Sequence, residues 1–351
     1  MNPILRRATS AACLTLAFSG CGRGGPAEAP RAASPPSGWE EIRLGTDAVF
    51  NGIDFVDAEV GWIVGGSPFV SGGIVGLTVD GGKTWRYRTG VTGGGPTAGL
   101  SAIHGFDRRR ACAVGDRGIL LTVDGGESWQ PAHYAWRAPT RLFGLAFLNE
   151  REGWAAGAGL FHTTDAGTSW SELSGEGSPA GSFAARPVHF TDSRNGWLGG
   201  QHGNLWRTRD GGETWARVPL PQPVPPPPSA PDLFGMTWPS ASEGWVVGEF
   251  GTILRTSDGG DSWSLSDAGT REAFFTAVQF VGRSGWIVGF FPDKARSQVW
   301  RTADGGATWS VEQTLEGEEL RALRMLDERT GWAVGDRVRT APQRMLRRRS
   351  S

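Results

Sequence analysis

Three cysteines, two tyrosines and five histidines among 351 residues leave little material for covalent, phenolic or metal chemistry. Lysine is equally scarce: only Lys83 and Lys294 occur, so arginine carries almost all the positive charge. Neither sign of charge prevails, with 35 basic against 36 acidic residues and a net charge of −1, which excludes an electrostatic nucleic-acid binder. Long apolar runs are missing as well. The best, Ala8 to Phe18, has about eleven residues, short of the roughly 20 that span a bilayer. With 38% hydrophobic and 20% charged residues the chain is nevertheless a folded globular protein. Its excesses are 54 glycines and 17 tryptophans; so much glycine points to many turns and hence to all-β structure.

The N-terminus reads as an export address. Arg6 and Arg7 precede the short apolar run, and Phe18-Ser19-Gly20-Cys21 places small residues before a cysteine. This resembles a bacterial lipobox, in which the cysteine thiol is lipidated and becomes the first residue; an ordinary secretory signal cut nearby is the alternative. Residues 1–20 are thus assigned to the signal and 21–38, rich in Gly, Pro, Ala and Ser, to a flexible tether. Cys13 would leave with the signal and Cys21 would carry lipid. Only Cys112 would remain, which excludes an intramolecular disulfide and a cysteine-based metal site.

Internal repetition dominates the rest. Six segments share T-x-D-G-G-x-[TS]-W, ending at Trp85, Trp129, Trp170, Trp215, Trp263 and Trp309, with Ala166 for the first Gly in the third. Their aspartates, Asp80, Asp124, Asp165, Asp210, Asp258 and Asp304, lie 44, 41, 45, 48 and 46 residues apart. Each box follows a G-W-x-V-G strand, with Cys112 in the Trp position of the second unit, and a seventh copy spans Gly331 to Gly335. Upstream of each is an apolar pair two residues apart: Ile53-x-Phe55, His104-x-Phe106, Leu145-x-Phe147, Val188-x-Phe190, Met236-x-Trp238, Val278-x-Phe280 and Leu323-x-Met325. Four short strands per unit of about 43 residues describe a propeller blade. The seventh unit has three strands, ending near Val338-Arg339-Thr340, whereas Trp39-Glu40-Glu41-Ile42 is an orphan fourth strand. The expectation is an all-β, seven-bladed propeller of four-stranded antiparallel blades over residues 39–340, its last blade closed by the N-terminal strand. A basic tail would follow at 341–351.

The boxes need no chemical role. Their Asp can accept N–H bonds across the turn, the glycines permit positive φ and the Trp packs between blades. T-x-D-G-G-x-T-W is the Asp-box, or BNR repeat, of sialidases, some xyloglucanases and sortilin-type receptors. Followed through Leu205-Trp206-Arg207-Thr208, Ile253-Leu254-Arg255-Thr256 and Val299-Trp300-Arg301-Thr302, the chain resembles the photosystem II stability and assembly factor family. That resemblance implies a non-enzymatic propeller that binds another protein during membrane-complex assembly, through an arginine patch.

The competing reading is a carbohydrate-active propeller, either a glycosidase or lectin-like. A sialidase would require a Tyr nucleophile and an F/Y-R-I-P motif; the motif is absent, and only Tyr87 and Tyr134 are available. A two-carboxylate glycosidase could draw on Asp54, Asp116, Glu249 or Asp336, which are otherwise turn or surface residues. His104 breaks an apolar strand position, either as a functional group in the channel or as a satisfied core histidine. The histidines show no metal-ligand spacing, no phosphate-binding loop occurs, and no cofactor is expected. Pro219 to Pro231 is either a stiff spacer or a docking segment.

Arginine gives the sharpest candidates. Arg207, Arg255, Arg301 and Arg339 recur at one strand position immediately before Thr or its equivalent. Guanidinium groups so placed could grip the carboxylates of an acidic segment, or simply lay their stems over neighbouring Trp rings. The expectation is a monomeric, lipid-anchored envelope protein with a protein partner.

Overall fold

The computed structural model describes residues 38–67, 70–92, 99–134, 141–174, 186–224, 230–337 and 343–348. The proposed signal, Cys21, almost all of the tether, Arg339 and Pro225 to Pro228 lie outside them. Seven sheets succeed one another along the chain. In blade 1 the order is Val49–Phe55, Gly61–Ser67, Val70–Thr78 and Arg86–Thr89, each strand antiparallel to the next. Blades 2 to 6 repeat it, their first strands beginning at Leu100, Leu142, Val188, Leu233 and Phe274. Blade 3 has a fifth strand: His133–Tyr134 runs parallel to Ser169–Glu172 as the chain crosses from blade 2.

Closure follows the sequence expectation in principle and corrects it in detail. Blade 7 is ordered Glu318–Met325, Gly331–Arg337, Arg344–Arg348 and finally Trp39–Arg43 from the N-terminus. Its third strand is therefore Arg344–Arg348, within the stretch read as a basic tail. The physical reason is burial: Met345 and Leu346 are fully buried, each in the apolar core on one side of the blade.

The repeated motifs interlock by shape. The aromatic side chain at the end of the first strand lies over the glycine that precedes the Trp of its own blade in blades 1 and 3 to 6, and Met325 takes its place over Gly331 in blade 7. A Cβ at Gly61, Gly196 or Gly244 would sit 2.4 Å from Phe55, Phe190 or Trp238. The following Trp then stacks on the corresponding aromatic of the next blade. Ring centroids are 3.7 Å apart for Trp154 and Phe190, 4.3 Å for Trp197 and Trp238, and 3.4 Å for Trp332 and Phe55 across the closure. The box Trp of the same blade meets that aromatic edge-on, as Trp215 meets Phe190. Replacing one such fully buried Trp by Ala would cost about 3–5 kcal/mol.

Blade 2 departs from this scheme and corrects the sequence alignment by one residue. Ile103 pairs with Ala113, His104 with Cys112 and Gly105 with Ala111, so Gly105 holds the place of Phe55 and His104 that of Asp54. Trp62 of blade 1 fills the space: a Cβ on Gly105 would lie 2.6 Å from its ring.

Each box is a closed hydrogen-bond circuit. In the first, Thr78 Oγ1 donates to Asp80 Oδ1 at 2.8 Å and accepts from Gly82 N, while Thr84 N and Oγ1 donate to the Asp80 carboxylate. The pattern recurs around Asp124, Asp165, Asp210, Asp258 and Asp304. Hydroxyl and backbone bonds hold Asp124 and Asp210 down at about 2, first among them those from Ser128 and Thr214. Carboxylates so committed are turn staples.

Candidate functional site

The last glycine of G-W-x-V-G shapes the axis. A Cβ on Gly65 would lie 1.8 Å from Val49 O, and one on Gly335 1.8 Å from Glu319 O, so these glycines let the first strand approach and bulge. The pairing skips one residue in six blades, namely Asn51, Ser101, Phe143, Phe234, Thr276 and Arg321. Arg186 takes the equivalent place in blade 4, its N–H bonded to Gly199 O. All seven side chains line a cavity of about 480 Å³ at the mouth opposite the boxes. Sequence reading missed this ring because a bulge breaks the period-two pattern; the recurring glycine was the available signal.

The two halves of the mouth differ. Across blades 6, 7 and 1 the polar side chains are tied: Thr276 donates to Leu320 O, Arg321 to Asn51 Oδ1 and Asn51 Nδ2 to Leu100 O. Arg321 also pairs with Glu319 and Asp336, and Arg141 with Asp116. Across blades 3 to 5, Arg186 lies between two aromatic rings, 5.6 Å from the centroid of Phe143 and 5.1 Å from that of Phe234. Among the described residues no carboxylate pairs with it.

The watched carboxylates form no free acid–base pair. Asp54 is buried among His104, Arg324 and Gly105 N. Burial alone would raise its pKa, but the His104 hydrogen bond and the Arg324 charge outweigh that and lower it. His104 is thus held in place, its Nδ1 3.2 Å from Asp54 Oδ2 and its ring stacked on Phe147 with centroids 4.8 Å apart. Asp116 accepts from Gly99 N and Arg141, and Glu249 accepts from Asp232 N. Asp336 is raised by burial, beside Arg321. Among the described residues, no three His, Cys, Asp or Glu side chains gather as a metal site. Cys112 is buried, and burial pushes its thiol up.

The arginine series lies at the box end. Arg207, Arg255 and Arg301 stand opposite Trp197, Trp245 and Trp286, with guanidinium carbons 5.3, 5.4 and 5.8 Å from those rings. The same register in blade 7 sets Arg347 against Trp332, so Arg347 occupies the position expected for Arg339. In blades 1 to 3 the position holds Leu77, Leu121 and His162, confining the stripe to one sector. Arg207 pairs at 2.5 Å with Asp261 of the next blade's box, and Arg209 shares that carboxylate. Arg255 pairs with Glu243, and Arg301 with the nearly buried Glu312.

Fold and motifs define an Asp-box, seven-bladed propeller with an arginine sector at its box end and an arginine–phenylalanine mouth opposite. The chain belongs to the Photosynthesis system II assembly factor YCF48 family, whose model matches residues 31–130, 100–185 and 228–317. It is similar to the solved structure of YCF48 bound to D1 peptide, with 19% identity, 91% of this chain and 100% of that one covered, and a TM-score of 0.69. YCF48 from Cyanidioschyzon merolae is 18% identical over 89% of this chain and 98% of its own, with a TM-score of 0.67. A streptogramin B lyase structure reaches 0.61 at 15% identity, covering 88% of this chain and 96% of that one. At these identities the likeness is one of fold, and it includes an enzyme. No curated protein matches the sequence.

Proposed function

We propose that this chain is a non-enzymatic binding propeller of the bacterial envelope, monomeric and lipid-anchored through Cys21, that holds a subunit of a membrane complex during assembly. Family membership supports the class, as does the D1 peptide carried by a YCF48 of the same fold. The observation that carries the reading is the arginine sector. Arg207 and Arg255 are pre-ordered over indole rings, yet their carboxylate partners Asp261 and Glu243 are 59% and 44% exposed. The Arg255–Glu243 pair, open to solvent on both sides, is of the kind worth about 0–1 kcal/mol, so an acidic segment of a partner could displace Glu243 at little cost. Arg207 is itself only 13% exposed and meets solvent through Asp261, which Arg209 also holds. Arg301 is less free, because Glu312 also serves the blade 6–7 seam. The photosystem is not assigned as the client.

Anchoring is tested by mass spectrometry of the mature N-terminus and by fractionation. Wild type is expected to carry acyl chains on Cys21 and to sediment with membranes, and Cys21→Ser to lose both. An unmodified wild-type N-terminus would remove the anchor from the proposal.

A further inference from the structure

On the face opposite the arginine sector, the bulged ring makes a second site that the binding reading does not use. The cavity of about 480 Å³ is of the size that encloses a small organic ligand. Its polar half is internally satisfied, so it offers shape and few free donors. Its other half joins a cation with no carboxylate partner among the described residues to aromatic rings: Arg186 between Phe143 and Phe234, with Phe290 also on the wall. The aromatic surface continues beyond it, Phe274 lying 6.5 Å from Phe234, 5.7 Å from Phe290 and 5.6 Å from Phe250 between centroids. Phe250 is among the most exposed large apolar side chains, at 52%.

We propose that this mouth binds a carboxylate carried on an aromatic group. The carboxylate would take the fork of Arg186, whose guanidinium plane is already held by the two rings, and the aromatic body would cover Phe234 and Phe290. The nearby Arg141 and Arg321 already have carboxylate partners, so among the described residues lining the mouth Arg186 is the cation left to recognise the charge. Such a group could belong to a free aromatic acid or to the end of a peptide.

The test is titration calorimetry on the mature protein with 3-phenylpropionate, its amide, and the tripeptide Gly-Gly-Phe with free or amidated end. The acids are expected to bind and the amides to bind roughly tenfold more weakly or worse, in line with one charge-assisted contact. Arg186→Gln should abolish that preference and Phe234→Ala should weaken acid and amide alike, whereas Arg207→Gln should change neither. Binding of 3-phenylpropionate without the tripeptide assigns a small-molecule source, and tighter binding of the tripeptide than of 3-phenylpropionate a peptide end. Absence of acid binding, equal affinity for acid and amide, or equal loss in Arg207→Gln would overturn the proposal.

Discussion

Arg348 Nη1 and Glu312 Oε2 meet at 2.6 Å across the seam between blades 7 and 6, both side chains nearly buried. Glu312 also accepts the indole N–H of Trp39 at 2.8 Å and that of Trp286 at 3.3 Å, and Arg301 approaches it. One carboxylate thus ties the N-terminal strand, the C-terminal strand and the preceding blade.

Removing that carboxylate leaves Arg348 buried without its counter-charge. Glu312→Ala should cost about 3 kcal/mol, read as a lowered midpoint in thermal or denaturant unfolding. Glu272→Ala, which like its partner Lys294 is exposed, should change stability by less than about 1 kcal/mol. Equal midpoints for the two variants would show that Glu312 is no keystone.

Both chain ends should be indispensable to the ring. Deleting residues 22–44 removes the outer strand of blade 7, and deleting 341–351 removes the strand beside it. Each deletion should collapse the cooperative unfolding transition, while deleting 22–36 should leave the midpoint nearly unchanged. Retention of the wild-type midpoint after loss of 341–351 would refute the strand assignment.

Glu318 gives the fold a measurable pH dependence. Its side chain is fully buried, near Arg344, and burial pushes its pKa up to about 7 from the ordinary 4.5. The folded state therefore binds a proton that the unfolded chain has released between these values. The stabilisation is complete below about pH 4.5 and is lost as the pH rises through about 7. Wild type should lose stability relative to Glu318→Gln, by up to about 3 kcal/mol, between pH 4.5 and pH 8. Parallel pH profiles for the two proteins would contradict the assignment.

What the sequence revealed depended on how local the signal was. The boxes and the Gly-Trp pairs are contiguous and each encodes one turn or one close contact, so blade number and closure by Trp39 were readable. His104 was misaligned because an alternating pattern fits two frames when Phe106 follows Gly105; the loss of the aromatic in blade 2 shows only when Trp62 is seen filling the gap. Arg347 was hidden because blade 7 lacks a box to mark its third strand, although Met345-Leu346 between arginines carried the apolar signal. The mouth was invisible for a different reason. Its members share no one residue type, and the bulges at Phe143 and Phe234 bring those rings to either side of Arg186.

The central claim is that the arginine sector holds an acidic segment of a partner. The direct measurement is quantitative cross-linking and capture from solubilised envelope, with wild type against an Arg207→Glu/Arg255→Glu variant shown to be folded by its melting midpoint. A single partner should dominate the wild-type sample, weaken as salt rises because exposed charge pairs are screened beyond about 8 Å, and be displaced by an acidic competitor peptide. The variant should capture it at least roughly tenfold less well. An undiminished partner signal in the folded variant, indifferent to salt and competitor, would contradict the account.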